Sequence, residues 1–257
     1  MQTISRMLRP AKLPVQVRQT NARPRPWLAI ILVGAVLCPL LAKPGRSEAA
    51  STVLAPASAG ATVTFSLDFP KSDPEHYQIT VSADGHARYE CSALVLAGSD
   101  DHETYQAEFT VSEPTRTRIF ELAVQAHYFN AKVDSGNRKL AFMGTKKLVY
   151  TDGQQNNTAE FNFSPLPPVQ QITELFQNLA STMEYGRRLA HQHRYQKLAL
   201  DDELKRMEDQ ARRGELAELG AVKPTLQAIY DDPSVLNVVR ARARRVMDMS
   251  AAPRSAP

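Results

Sequence analysis

The chain has 257 residues, 43% of them apolar and 23% charged, with a formal net charge of +4. Residues 1–49 hold eight of the 31 basic residues and one of the 27 acidic ones, so residues 50–257 carry 23 basic and 26 acidic side chains, a net of −3. The basicity that would suggest nucleic acid therefore belongs to the N-terminal segment. The two cysteines, Cys38 and Cys91, exclude a disulfide framework, since Cys38 lies in that segment and Cys91 has no partner.

Residues 1–26 contain six basic residues and no acid, and Trp27 to Ala42 is an apolar run of 16 residues closed by Lys43-Pro44-Gly45-Arg46. A basic leader, an apolar run and a small-x-small site at Ser47 and Ala49 predict a secretory signal peptide cleaved after Ala49. The alternative is an uncleaved N-terminal membrane anchor, touching the membrane only through residues 27–42. Either arrangement leaves residues 50–257 outside the cytoplasm, periplasmic, secreted or held at the inner membrane. Residues 50–61, rich in Ala and Ser, predict a flexible linker.

Beyond the linker the periodicity is two. Val63, Phe65, Leu67 and Phe69 alternate with polar residues and stop at Pro70. Tyr77, Ile79 and Val81, then Ala87, Tyr89 and Cys91, flank Asp84-Gly85, the strongest short hairpin signal. Cys91 shares its face with Tyr89 and is expected buried. Tyr105 to Val111 gives another strand, and Ser112-Glu113-Pro114 starts an amphipathic helix expected to reach Tyr128. Residues 140–142 and 148–150 read as a second hairpin, followed by a strand through Ala159 to Phe163.

After Pro165-Leu166-Pro167-Pro168 the period changes to 3.6. Ile172, Leu175, Phe176, Leu179 and Met183 stripe a long helix; Asp201 or Asp202 caps another; Leu226 and Ile229 mark a short one; Asp232-Pro233 opens the last. Strands first and helices last predict an α+β fold, an antiparallel meander sheet with one packed helix and then an α-helical region. The divisions expected are 1–49 export segment, 50–61 linker, 62–164 sheet domain, 165–250 helical region and 251–257 tail.

The run Tyr77 to Val81, with Asp84-Gly85 and Tyr89, Arg118 to Leu122 with Tyr128-Phe129, and Gly144 to Tyr150 resembles a group of bacterial exported α+β domains of unknown function. That resemblance covers about residues 62–183 and implies an exported module; it carries no catalytic residues. Residues 216–249 resemble one helix pair of a HEAT-type repeat, without a second copy.

Candidate chemistry is sparse. His191 and His193 lie two apart, on different sides of a helix, and do not make a metal pair. Asp100, Asp101, His102 and Glu103 form a dense polar cluster where a loop is due. There is no nucleophile elbow and no glycine-rich phosphate loop, so no catalytic residue and no cofactor is expected. Arg138, Lys139, Lys146 and Lys147 suggest a basic edge on the second hairpin, protecting it from pairing or binding a partner. Arg240 and Arg244 make the last helix basic. The expectation is a non-catalytic envelope binding or scaffolding module with an envelope-protein or cell-wall partner and no nucleic acid. The alternative is an envelope hydrolase using Asp100, Asp101 or Glu103.

Overall fold

The computed structural model describes residues 60–94, 102–137 and 139–251. The expected export segment, most of the expected linker, Asp100, Asp101, Arg138 and nearly all of the expected tail lie outside them. Among the described residues no helix is long and apolar enough to cross a membrane; Trp27–Ala42 is not among these residues.

Six strands, β1 (Thr62–Asp68), β2 (His76–Ser82), β3 (His86–Leu94), β4 (His102–Thr110), β5 (Thr145–Thr151) and β6 (Asn156–Phe161), form one antiparallel sheet in the order β4-β3-β2-β1-β5-β6. Strands β1 to β4 are a meander. The helix α1 (Glu113–Gln125) lies in the connection that returns the chain from one sheet edge to the far side of β1. Helices α2 (Pro167–Tyr195), α3 (Leu200–Arg212), α4 (Lys223–Asp231) and α5 (Asn237–Ala251) follow. The fold is α+β, the sheet first and the helices C-terminal.

The alternation read in the sequence sets the sheet's two faces. Phe65, Ile79, Val81, Tyr89 and Leu148 are buried, whereas Thr64 and Thr80 of the other face bond each other at 3.0 Å. In the β2–β3 turn, Gly85 takes φ +91°, where a Cβ is strained, and Asp84 Oδ1 accepts the His86 N–H at 2.9 Å. Ala61 is fully buried and its carbonyl accepts the Ala83 N–H, so it belongs to the sheet rather than to the linker expected over 50–61.

The change of periodicity at Pro165 does not break the core. Phe176 of α2 stacks on Phe65 of β1 with centroids 5.5 Å apart and planes 13° from parallel, so the helical region completes the sheet's core. Two helices, α1 and α2, therefore cover the sheet, where one was expected.

Several local expectations are corrected. The second hairpin is β5–β6; residues 141–144 carry no strand. Helix α1 stops at Gln125, and His127, Tyr128 and Phe129 turn left-handed at φ 52°, 52° and 63°. Burial of Phe129 and packing of Tyr128 on Tyr150, 4.6 Å between centroids, hold that turn against its steric cost. Asp201 and Asp202 sit inside the first turn of α3, not at its cap, and α5 begins at Asn237, because Asp232 Oδ1 folds Ser234 back into a turn.

Candidate functional site

The expected basic edge dissolves in the structure. Strand β5 is an interior strand, hydrogen-bonded to β1 and β6, so its lysines protect no edge. Lys146 and Lys147 point to opposite faces. Lys147 is exposed, Lys139 is exposed with its N–H bonded to Asn137, and Arg138 lies outside the described residues. Arg240 donates to the Tyr230 carbonyl at 2.7 Å, and Arg244 pairs with Asp248 at 3.0 Å; both also lie over the Tyr230 ring. These arginines serve the α4–α5 packing.

Lys146 is different. It shares its parity with Leu148 and Tyr150, so the pleat turns it into the core, where it is only 8% exposed. Its ammonium donates to the Met143 carbonyl at 3.1 Å and to the Asn162 carbonyl at 3.0 Å. An ammonium has three N–H donors, so one is left over. No carboxylate pairs with it among the described residues. Burial alone pushes its pKa below that of an ordinary lysine.

Lys146 borders a cleft of about 400 Å³ between the end of the β5–β6 hairpin and the first half of α2. One side is apolar: Leu140, Met143, Phe161 and Phe163. The other is a stripe on α2 at helical spacing, Gln170, Thr173, Glu174 and Gln177. Thr173 is 8% exposed, and its hydroxyl has no hydrogen-bond partner. Leu140, Met143 and Phe163 are 40%, 61% and 45% exposed, an apolar lip open to solvent.

The lip is held by Asn162. Its side chain accepts the Met143 N–H at 2.9 Å and donates to the Ala141 carbonyl at 3.0 Å, while its own N–H donates to Asp134. Asp134 also accepts the Gly136 N–H, and these backbone bonds draw its carboxyl below the usual range. Gly144, at φ +85°, brings the loop against Leu67 and Asp68; a Cβ there would meet Leu67 Cδ1 at 2.7 Å. The cleft wall is therefore fixed by hydrogen bonds made without any ligand.

A second polar cluster lies under the other half of the sheet. Glu184 of α2, 5% exposed, accepts the Tyr89 hydroxyl at 2.6 Å and the Cys91 thiol at 3.4 Å, and Arg187 binds both carboxylate oxygens at 2.8–3.2 Å. Burial, then the Glu184 charge, pushes Tyr89 far up and the Cys91 thiol to about 12. A thiol and a phenol held protonated are poor nucleophiles. Glu203 and Glu208 are equally closed: Glu203 is paired with Arg188 and Arg206, Glu208 with Arg212, Arg242 and Arg245. These acids join helices to one another and to the sheet.

Glu103 is exposed on β4, beside a depression shared with Tyr105, Arg187, His191 and Arg194. No second carboxylate lines it among the described residues. His193 instead bonds Asp232 at 2.9 Å, and no group of three or more metal-ligating side chains converges among the described residues.

No protein-family model matches this chain, and no curated protein matches it. Sequence reasoning missed Thr173 and Glu184, although both offered a signal. Thr173 and Glu184 each sit beside positions of the apolar stripe Ile172, Phe176, Leu179 and Met183, where a polar group is turned towards the core.

Proposed function

We propose that this protein is an exported, non-catalytic binding module of the cell envelope, which receives an apolar ligand in the cleft beside Lys146. The observation that carries the reading is a preformed cleft of about 400 Å³ with an apolar lip of Leu140, Met143 and Phe163. Its size lies in the range of small-ligand clefts, roughly 300–1,000 Å³. Closed pairing of the buried acids with arginines favours binding over hydrolysis, because a general acid or base must be free to exchange its proton. Export is supported by the cationic leader and apolar run of residues 1–49.

The test uses the uncharged fluorophore N-phenyl-1-naphthylamine on the full chain. Saturable fluorescence enhancement is expected, weakened at least several-fold by Phe163→Ser. Phe163 is half exposed, so that change leaves the core intact. The comparison also separates the cleft from residues 27–42, which the variant does not touch. Absence of saturable binding, or equal binding by the variant, overturns the reading.

A further inference from the structure

Resting on that reading, we propose that the cleft selects a single-chain amphiphile with a carboxylate head, seated on the Lys146 ammonium and the Thr173 hydroxyl, its chain leaving over Leu140, Met143 and Phe163. Three observations point the same way. Lys146 is nine-tenths buried on the core face of β5 and bonded only to neutral carbonyls. A buried cation without an anion is costly, and an incoming carboxylate supplies the missing charge. Thr173 is equally buried, borders the same cleft, and has a hydroxyl with no partner. A carboxylate has two oxygens and about four acceptor sites, enough for both the spare ammonium N–H and the hydroxyl. The wall facing the α2 stripe, Leu140, Met143, Phe161 and Phe163, is apolar, which suits an alkyl chain.

Glu174 also borders the cleft, but it is exposed and makes no ion pair with Lys146. At a solvated rim its charge is screened and competes weakly with a desolvated head group.

The experiment is isothermal titration of the full chain with dodecanoate and with dodecan-1-ol, which share a chain and differ in the head. Dodecanoate is expected to bind roughly tenfold tighter or more, the size of a charge-assisted hydrogen bond. This ratio needs no variant, so it stands even if a substitution disturbs folding. Lys146→Met is expected to bring the ratio close to one, and Thr173→Val to lower it partway. Equal binding of the two probes to the native protein, or an unchanged preference in Lys146→Met, overturns the carboxylate inference and leaves the apolar cleft standing. Failure of both probes to bind overturns the cleft itself.

Discussion

Tyr89 on β3 and Glu184 on α2 are 95 residues apart in the chain, yet the phenol donates to the carboxylate at 2.6 Å inside the core. This bond fastens α2 to the sheet, and the same carboxylate is gripped by Arg187. Removing one partner of a buried ion pair strands the other, at about 3–5 kcal/mol. Glu184→Gln is therefore expected to destabilise the protein by about that much, partly relieved because Asp73 lies 3.6 Å from Arg187. Tyr89→Phe removes one hydrogen bond to a charged group, about 1.5–3 kcal/mol. Urea unfolding of both single variants and the double variant checks the coupling. Strict additivity would show that the pair does not act as a unit.

Acid should loosen the helical half. Burial opposes ionisation of Glu203, yet the bonds from Arg188 and Arg206 outweigh it and hold its pKa below 4.5. The Arg245 hydrogen bond, with Arg242 and Arg212, does the same for Glu208. A carboxylate with a folded pKa below its unfolded one stabilises fully above the unfolded value and loses that stabilisation as pH falls through the folded one. Stability is thus expected to be flat near pH 6–7 and to fall progressively below about pH 4.5. Glu208→Gln lowers stability at pH 7 but flattens the fall. Thermal unfolding at pH 7, 5, 4 and 3 for both proteins checks this, and parallel curves would refute the assignment to Glu208.

Most of the sheet was legible because alternation is a local signal: Val63 to Phe69 and the hairpin around Asp84-Gly85 required nothing beyond their neighbours. Strand order was not. Nothing near Lys146 says that β5 inserts beside β1 with β6 outside it, so the lysine read as edge protection although its parity with Leu148 and Tyr150 already turned it inward. The left turn at residues 127–129 was hidden for a different reason. None of those residues is Gly or Asn, and the conformation is imposed by burial of Phe129 and the Tyr128–Tyr150 packing.

That turn makes a testable liability. His127 is exposed at φ 52°, a region costing a residue with a Cβ about 1–2 kcal/mol. His127→Gly relieves the clash and gives back about 0.5–1 kcal/mol in unfolded-state entropy. A net stabilisation of roughly 0.5 kcal/mol is expected by urea unfolding, in keeping with the preference for glycine just past a helix C-terminus. A net loss would mean that the ring itself contributes.

Gly186 lies mid-helix in α2, where alanine would ordinarily be better by about 0.8–1 kcal/mol. Here a Cβ would stand 2.5 Å from Cγ1 and 3.3 Å from Cβ of Val222, a buried, β-branched residue with little freedom to move. Gly186→Ala is therefore expected to destabilise by about 1–3 kcal/mol. Adding Val222→Ala should recover part of the loss, so the double variant is more stable than the sum of the singles predicts. Chemical denaturation of the four proteins measures the non-additivity; its absence would place the strain elsewhere.

Cys91 supplies a direct probe of the same core. Its thiol is 2% exposed, bonded to Glu184, and pushed by burial and that charge to about 12, so almost none is thiolate at pH 8. With a disulfide-forming reagent such as dithionitrobenzoate, a native Cys38→Ser chain at pH 8, whose single thiol is Cys91, is expected to label only as the core opens. In denaturing urea the same thiol should react within seconds to minutes, as a free cysteine with a pKa near 8.5 does. Glu184→Gln removes the neighbouring negative charge, which favours the thiolate, and also weakens the α2–sheet joint, which favours opening. Both effects accelerate labelling. Reagent concentration helps separate them: a rate that saturates as reagent rises reports opening, and a rate that keeps rising and approaches that of the denatured thiol reports a thiol already accessible in the folded protein. Rapid labelling of a Cys38→Ser chain, at a rate near that of the denatured thiol, would show that Cys91 is not sealed beneath α2.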